Sequence, residues 1–144
     1  MYAQVILTTA HRAPLFAVPR LRRLASRTLY AHRANAPCTL WAYAVQPCTV
    51  RLIIGPIERQ ALDIFVEEIK SWLATPILQA ICDADDDSLD AVLHYNPVWG
   101  GAIYRLWEAG YHRVPLGNAF RLSRGIHALR LLRETGADVW IGGA

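Results

Sequence analysis

Three short runs of apolar, β-branched and aromatic residues, each bounded by turn residues, lie in the first 57 positions of the chain. Runs of this length and composition are typical of β-strands. We therefore predict strands over 4–9, 40–45 and 49–54, and the turn residues Gln46 and Pro47 between the last two predict a hairpin. Weaker patterns predict a short strand within 106–114, around Gly110, and a final edge strand over 139–141.

Three longer segments repeat their apolar residues every three to four positions, which is the spacing of an amphipathic helix. We predict helices over 19–33, 58–74 and 121–135. Pro19 occupies a tolerated first-turn position, Pro76 ends the second pattern, and Gly136 is the expected C-cap of the third. The order of elements predicts a single α+β domain over 1–144, with helices packed on an antiparallel, ferredoxin-like sheet.

The net charge of +3 is unevenly distributed. Residues 1–57 hold seven arginines and no acid, 58–110 hold three basic and ten acidic residues, and 111–144 hold five arginines and two acids. The basic residues are fourteen arginines and one lysine, a bias that suits phosphate because the guanidinium donates to phosphate oxygens in pairs. Because an arginine-rich codon usage gives the same count, the positions of the arginines carry more information than their number.

The first predicted helix concentrates its charge on one side. At about 100° per residue, one narrow stripe opposite the apolar side contains Arg20, Arg23, Arg27 and Tyr30. Arg22 and Arg33 lie beside this stripe. The pattern predicts a face that follows a phosphate backbone, with Tyr30 available to stack on a base. A solvated helix face without a ligand has the same pattern.

Neither a metal nor a cofactor is expected. Cys38, Cys48 and Cys82 lack the spacing of a zinc site or of a disulfide framework and are expected to be buried small hydrophobes. The acidic run 83–90 lacks the glycine and the terminal glutamate of a calcium loop and predicts a solvated loop. No apolar stretch is long enough to cross a bilayer and no secretory signal is recognisable, so we expect a cytoplasmic protein without membrane contact.

Four segments resemble, in order, motifs of the REP-associated tyrosine transposases and related single-tyrosine HUH transposases. The run 8–16 resembles their opening strand and the R-x-x-x-F segment that follows it, and the run 42–53 resembles the hairpin motif A-Y-V-M-P-N-H-V-H-L-L. The runs 65–73 and 106–112 resemble their K-S helix and their W-Q-x-G-Y-Y-D segment. The shared order and spacing extend over most of the chain. The resemblance implies a transposase fold and a partner that is single-stranded or hairpin DNA.

The residues that carry catalysis in this family are replaced. Two histidines at i and i+2 of the hairpin strand bind a divalent metal there, and the matching residues here are Thr49 and Arg51. Because a guanidinium is permanently cationic and cannot coordinate a metal, we expect no metal site. His127 stands where the family has its nucleophilic tyrosine, nine residues before Gly136, and an ordinary surface or packed histidine is expected there.

The resemblance therefore implies a degenerate transposase that retains binding to DNA, or to RNA, without catalysis. The candidate nucleic-acid-binding residues are Arg12, Arg20, Arg23, Arg27, Arg51 and Tyr111. Arg51 either contacts a phosphate at the former metal position or pairs with a local carboxylate or water.

Two other functions remain open from the sequence. One is a homodimer or protein-interaction module, since charge is segregated along the chain and five tryptophans are available as interface anchors. The other is an active DNA endonuclease or strand transferase with a relocated nucleophile, for which the candidates are Tyr95, Tyr104 and Tyr111.

Overall fold

The computed structural model describes residues 1–84, 93–96 and 101–142. Its strands are β1 (Tyr2–Thr8), β2 (Thr39–Val45), β3 (Thr49–Gly55), β4 (Leu93–Asn96), β5 (Gly101–Tyr104), β6 (His112–Leu116) and β7 (Asp138–Ile141). Five of them form an antiparallel sheet in the order β6-β1-β3-β2-β7, and β4 pairs with β5 separately. The predicted hairpin of β2 with β3 is confirmed, as is the final edge strand.

Helices cover both faces of the five-stranded sheet. They are α1 (Pro19–His32), α2 (Arg59–Ala84) and α3 (Ala119–Leu131). One face, here the helix-pair face, packs its larger apolar core against α1 and α2. The opposite face, here the α3 face, packs a smaller cluster against α3. The predicted α+β sheet with packed helices is therefore confirmed.

The predicted end of the second helix at Pro76 is wrong, since α2 continues to Ala84. Proline removes one backbone donor from the helix interior, a loss that normally favours a break. Here the apolar stripe continues beyond the proline, and Ile77 and Ile81 are fully buried in the core. Burial of these two side chains stabilises the helix despite the backbone hydrogen bond that is lost at Pro76.

We expect Ile77→Ala to lower the free energy of unfolding by about 2–5 kcal/mol, the usual cost of truncating a fully buried isoleucine. Thr75→Ala, at an exposed position of the same helix, is the matched control and should change it by less than about 0.5 kcal/mol. Chemical denaturation of the two variants makes the comparison. Equal stabilities would show that the second half of α2 contributes nothing to the core.

The segments that resemble the K-S helix and the tryptophan motif pack against each other. Lys70 on α2 is 9% exposed, and its ammonium donates to the carbonyl oxygens of Glu108 at 3.2 Å and Gly110 at 2.6 Å. The Trp107 indole donates back to the Lys70 carbonyl at 3.1 Å. Gly110 turns the chain at a φ of +73°, so the strand predicted within 106–114 begins only at His112.

The predictions for the acidic run and for Cys82 concern residues outside the described part of the chain, and the other two cysteines are less buried than predicted. Most of the acidic run, over 85–90, and the Cys82 side chain lie outside that part. Cys38 and Cys48 are half-buried free thiols, and burial raises the pKa of Cys38. In the described part of the chain, no helix has the length and apolar character needed to cross a membrane.

Candidate nucleic-acid interface

The structure places the arginine stripe on the solvent side of α1. Because Leu21, Ala25 and Leu29 are buried on the inner side, helical spacing turns the stripe outward. Its residues are exposed: Arg20, Arg23, Arg27 and Tyr30. The helix contains no acidic residue. The outer surface of α1 is therefore uniformly basic.

A groove of about 400 Å³ runs beside this stripe. Its lining residues are Arg20, Arg23, Ser26, Arg27 and Asp138. Asp138, the single acid among these five, lies 3.4 Å from the Arg22 Nε atom, so its charge is offset by an arginine outside the lining. The groove is consequently suited to an anion.

An aromatic cluster follows the arginine stripe at the C-terminal end of α1. Trp140 on β7 stacks on Tyr43 at 5.5 Å between ring centroids and meets the edge of Tyr30 at 6.0 Å. The Arg33 guanidinium lies over the Tyr30 ring, 3.6 Å from its centroid. The bases of a single strand stack on flat aromatic rings, and its phosphates pair with neighbouring cations.

Hydrogen bonds fix this cluster to α1. The Tyr43 hydroxyl donates to the Ser26 carbonyl oxygen at 2.9 Å and accepts from the Ser26 hydroxyl at 2.9 Å. Burial raises the pKa of Tyr43, so its hydroxyl stays protonated and in place. No pattern in the sequence predicted that Tyr43 and Trp140 form an aromatic cluster with Tyr30. Their facing positions on β2 and β7 emerge only from the strand pairing.

Thr49 and Arg51, which the sequence resemblance aligns with the family's metal-binding histidines, lie on the α3 face of β3. Their neighbours Val50 and Leu52 belong to the opposite core, so the alternation of the strand turns 49 and 51 to this side. Both side chains are half-buried. Gln46 joins them, because its Oε1 atom accepts from Arg51 Nε at 2.7 Å and from the Thr49 hydroxyl at 3.1 Å.

This donor set does not fit a divalent cation. It offers one hydroxyl and one amide oxygen, and that oxygen already accepts two hydrogen bonds. The guanidinium adds a fixed positive charge and has no free lone pair for a metal. Among the described residues, no group of three or more histidine, cysteine or acidic side chains is placed to hold a metal ion.

His127, which the sequence resemblance aligns with the family's tyrosine, is exposed on α3 and lines a different groove, together with Trp41 and Arg124. Gly125 brings this helix close to the sheet, since a Cβ there would lie 3.3 Å from Ile53 Cδ1. The structure therefore brings Thr49 and Arg51 together through Gln46. In the described part of the chain, His127 makes no hydrogen bond to either of them.

Arg12 and Tyr111 lie apart from the α1 stripe. Arg12 is exposed in the turn after β1, where His11 and Arg12 both adopt left-handed backbone, with φ of 57° and 53°. Tyr111 lies against α2, and its hydroxyl donates a short hydrogen bond to the Asp63 carboxylate. The six candidate binding residues thus occupy separate parts of the molecule rather than one surface.

The candidate relocated nucleophiles receive little support. Partial burial and the Asp63 carboxylate raise the pKa of Tyr111 to about 12, which holds its hydroxyl in the protonated, poorly nucleophilic form. Tyr95 and Tyr104 belong to β4 and β5, and their side chains lie outside what the structure describes.

No protein-family model and no curated protein matches the chain. Solved structures do match, and they define its fold as a transposase fold. One is a "putative transposase" from Deinococcus radiodurans R1, with 18% sequence identity, a TM-score of 0.51 and coverage of 89% of this chain and 88% of that chain. Another is a REP-associated tyrosine transposase bound to a REP hairpin, with 9% identity, a TM-score of 0.57 and coverage of 94% and 67%. The fold implied by the sequence resemblance is confirmed.

Proposed function

We propose that the protein binds single-stranded or hairpin DNA and does not cut it. The observation that carries this proposal is the exposed arginine stripe of α1, which leads into the aromatic cluster of Tyr30, Arg33 and Trp140. Arginines that follow a backbone supply affinity independent of sequence. Aromatic rings add stacking of about 1–3 kcal/mol for each base they contact.

The chemistry of a strand supports this assignment over that of a small ligand. The groove beside the stripe is open and is lined mainly by cations and a serine. Small-molecule sites are usually concave and mostly apolar. The transposase neighbour that was solved with a REP hairpin has the same fold, which supports DNA as the polyanion.

The proposed loss of cleavage rests on Thr49 and Arg51. A divalent metal that polarises a scissile phosphate needs neutral or anionic ligands, and the cluster presents a cation instead. Without such a metal, and with His127 in another groove, the site lacks both the electrophile and the nucleophile of the family reaction. The protein therefore holds a strand and leaves it intact.

Arg51 takes part in this binding as a phosphate contact. Its Nε atom is held by Gln46, which leaves both Nη groups of the planar fork to meet phosphate oxygens. In the described residues, no carboxylate pairs with it. The amide of Gln46 orients the guanidinium without neutralising its charge.

A salt series on the unmodified protein tests the proposal. The three stripe arginines and Arg51 make four contacts to a single strand, which give a plot of log affinity against log salt with a slope of about −3. Fluorescence anisotropy with a labelled DNA hairpin measures this slope, and an RNA hairpin of the same sequence compares the two nucleic acids. An affinity that does not change with salt, or the absence of binding together with a stable DNA-independent dimer, would instead favour a protein-interaction module.

A further inference from the structure

A second groove, of about 530 Å³, lies on the α3 face of the sheet, between β2 and α3. Its polar and aromatic lining consists of Trp41, Phe120, Ser123, Arg124, His127 and Arg130. None of the described residues that line it is acidic, and α3 itself contains no acid. Ala119, Leu122 and Ile126 complete the lining, so the groove combines cations and aromatic rings with aliphatic side chains. It lies on the opposite side of the sheet from the α1 stripe.

A β-bulge creates one wall of this groove. The pairing of β2 with β3 shifts between Leu40 and Ala42, so the extra residue Trp41 points to the same side of the sheet as Ala42. Its indole donates to the Gly55 carbonyl oxygen at 3.0 Å, and its ring meets the edge of Tyr2 at 6.2 Å. Trp41 is thus held in position before any ligand arrives.

The opposite wall combines an exposed ring with cations. Phe120 is 68% exposed, an unusual position for so large an apolar side chain, and the Arg124 guanidinium lies 5.6 Å from its ring centroid. Arg130 lies on the same helix, further along the groove. A nucleotide base can stack on the rings of Phe120 and Trp41, and the negatively charged phosphates of a strand can pair with the arginines.

We propose that this groove is a second nucleotide-binding site, which stacks bases of a single strand on Phe120 and Trp41 and holds phosphates of the same strand with Arg124 and Arg130. The inference rests on the proposed function, because it extends the same ligand to a second surface. The two grooves lie on opposite faces of the sheet, and both come close to the edge strand β7. Asp138 of β7 lines the α1 groove, and Ile141 packs against the core under α3. A strand that leaves the first groove reaches the second by passing around this edge.

Phe120→Ala is the variant that tests the second site, since an exposed side chain contributes little to folding. We expect it to weaken binding of a single-stranded oligothymidylate of about 12 nucleotides by about 5- to 100-fold, through loss of one stacked base. Leu131→Ala is the matched control, because Leu131 is 50% exposed on the same helix and does not line the groove. It should bind the oligonucleotide as the unmodified protein does.

Photocrosslinking with an oligonucleotide that carries iododeoxyuridine identifies the contact directly. The expected product joins the base to Phe120 or Trp41, and the same yield in the presence of an excess acidic peptide excludes a peptide as the preferred occupant. Equal affinities of Phe120→Ala and Leu131→Ala, with crosslinks confined to α1 and β7, would overturn the second site and leave the proposed function intact. Absence of any DNA binding by the unmodified protein would overturn both.

Discussion

Replacement of Arg23 and Arg27 by glutamine should lower the affinity for a DNA hairpin by about 10- to 100-fold at moderate salt, because two charge-assisted contacts to phosphate are lost. The slope of log affinity against log salt should become shallower by about 1.4, which corresponds to two contacts on a single strand. Both side chains are exposed on α1, so the free energy of unfolding should stay nearly constant. Anisotropy titrations at several salt concentrations measure both quantities.

The matched control for this variant is the pair Arg59→Gln and Arg105→Gln. These two arginines are also exposed, so the control removes the same net charge from other parts of the surface. It should retain nearly the full affinity and the original salt slope. If both double variants weaken binding equally, net charge rather than the α1 stripe attracts the DNA.

Replacement of Thr49 and Arg51 by histidine should create a metal site on β3. Two imidazoles at i and i+2 lie on the same face of β3, about 6.6 Å apart along the strand, and Gln46 Oε1 lies beside both positions. Imidazole suits nickel, so isothermal titration calorimetry should detect one Ni²⁺ per chain beyond the unmodified protein. At a 100-fold excess over the dissociation constant, nickel should stabilise the variant by about 2.7 kcal/mol.

Arg51→Ala is the control for this experiment, because it removes the cation without supplying a metal ligand. It should show no added nickel site, and it should bind the hairpin about 3- to 10-fold less tightly, since one phosphate contact is lost where the Arg23 and Arg27 variant loses two. If Arg51→Ala binds the hairpin as tightly as the unmodified protein, Arg51 makes no phosphate contact. If the double-histidine variant gains no nickel site, the geometry of β3, and not the charge of Arg51, prevents metal binding.

Local patterns predicted the main elements because each has a strong apolar period and identifiable ends. The α1 stripe was predictable in the same way, since helical spacing alone sets which residues share a face. Pro76 was misleading because local backbone chemistry favours a helix end there, whereas burial of Ile77 and Ile81 depends on tertiary packing. Periodicity carries no information about which distant residues will cover a segment.

The aromatic parts of both grooves escaped prediction for a related reason. Trp140 joins Tyr43 and Tyr30 only because β7 pairs with β2 at the sheet edge, and this pairing has no local signature. Trp41 reaches the α3 face through a bulge, and strict alternation would assign it to the face opposite Ala42. A one-residue bulge of this kind moves a side chain to the other face of the sheet, and the amino-acid composition does not reveal it.

We propose above all that this transposase fold holds a DNA strand without cutting it. The most direct test of this proposal is a single reaction of the protein with an end-labelled hairpin and Mn²⁺, divided between a native gel and a denaturing gel. We expect a retarded complex on the native gel and only intact, protein-free DNA on the denaturing gel. A shortened strand, or a covalent adduct of DNA with the protein that survives denaturation, would contradict the account.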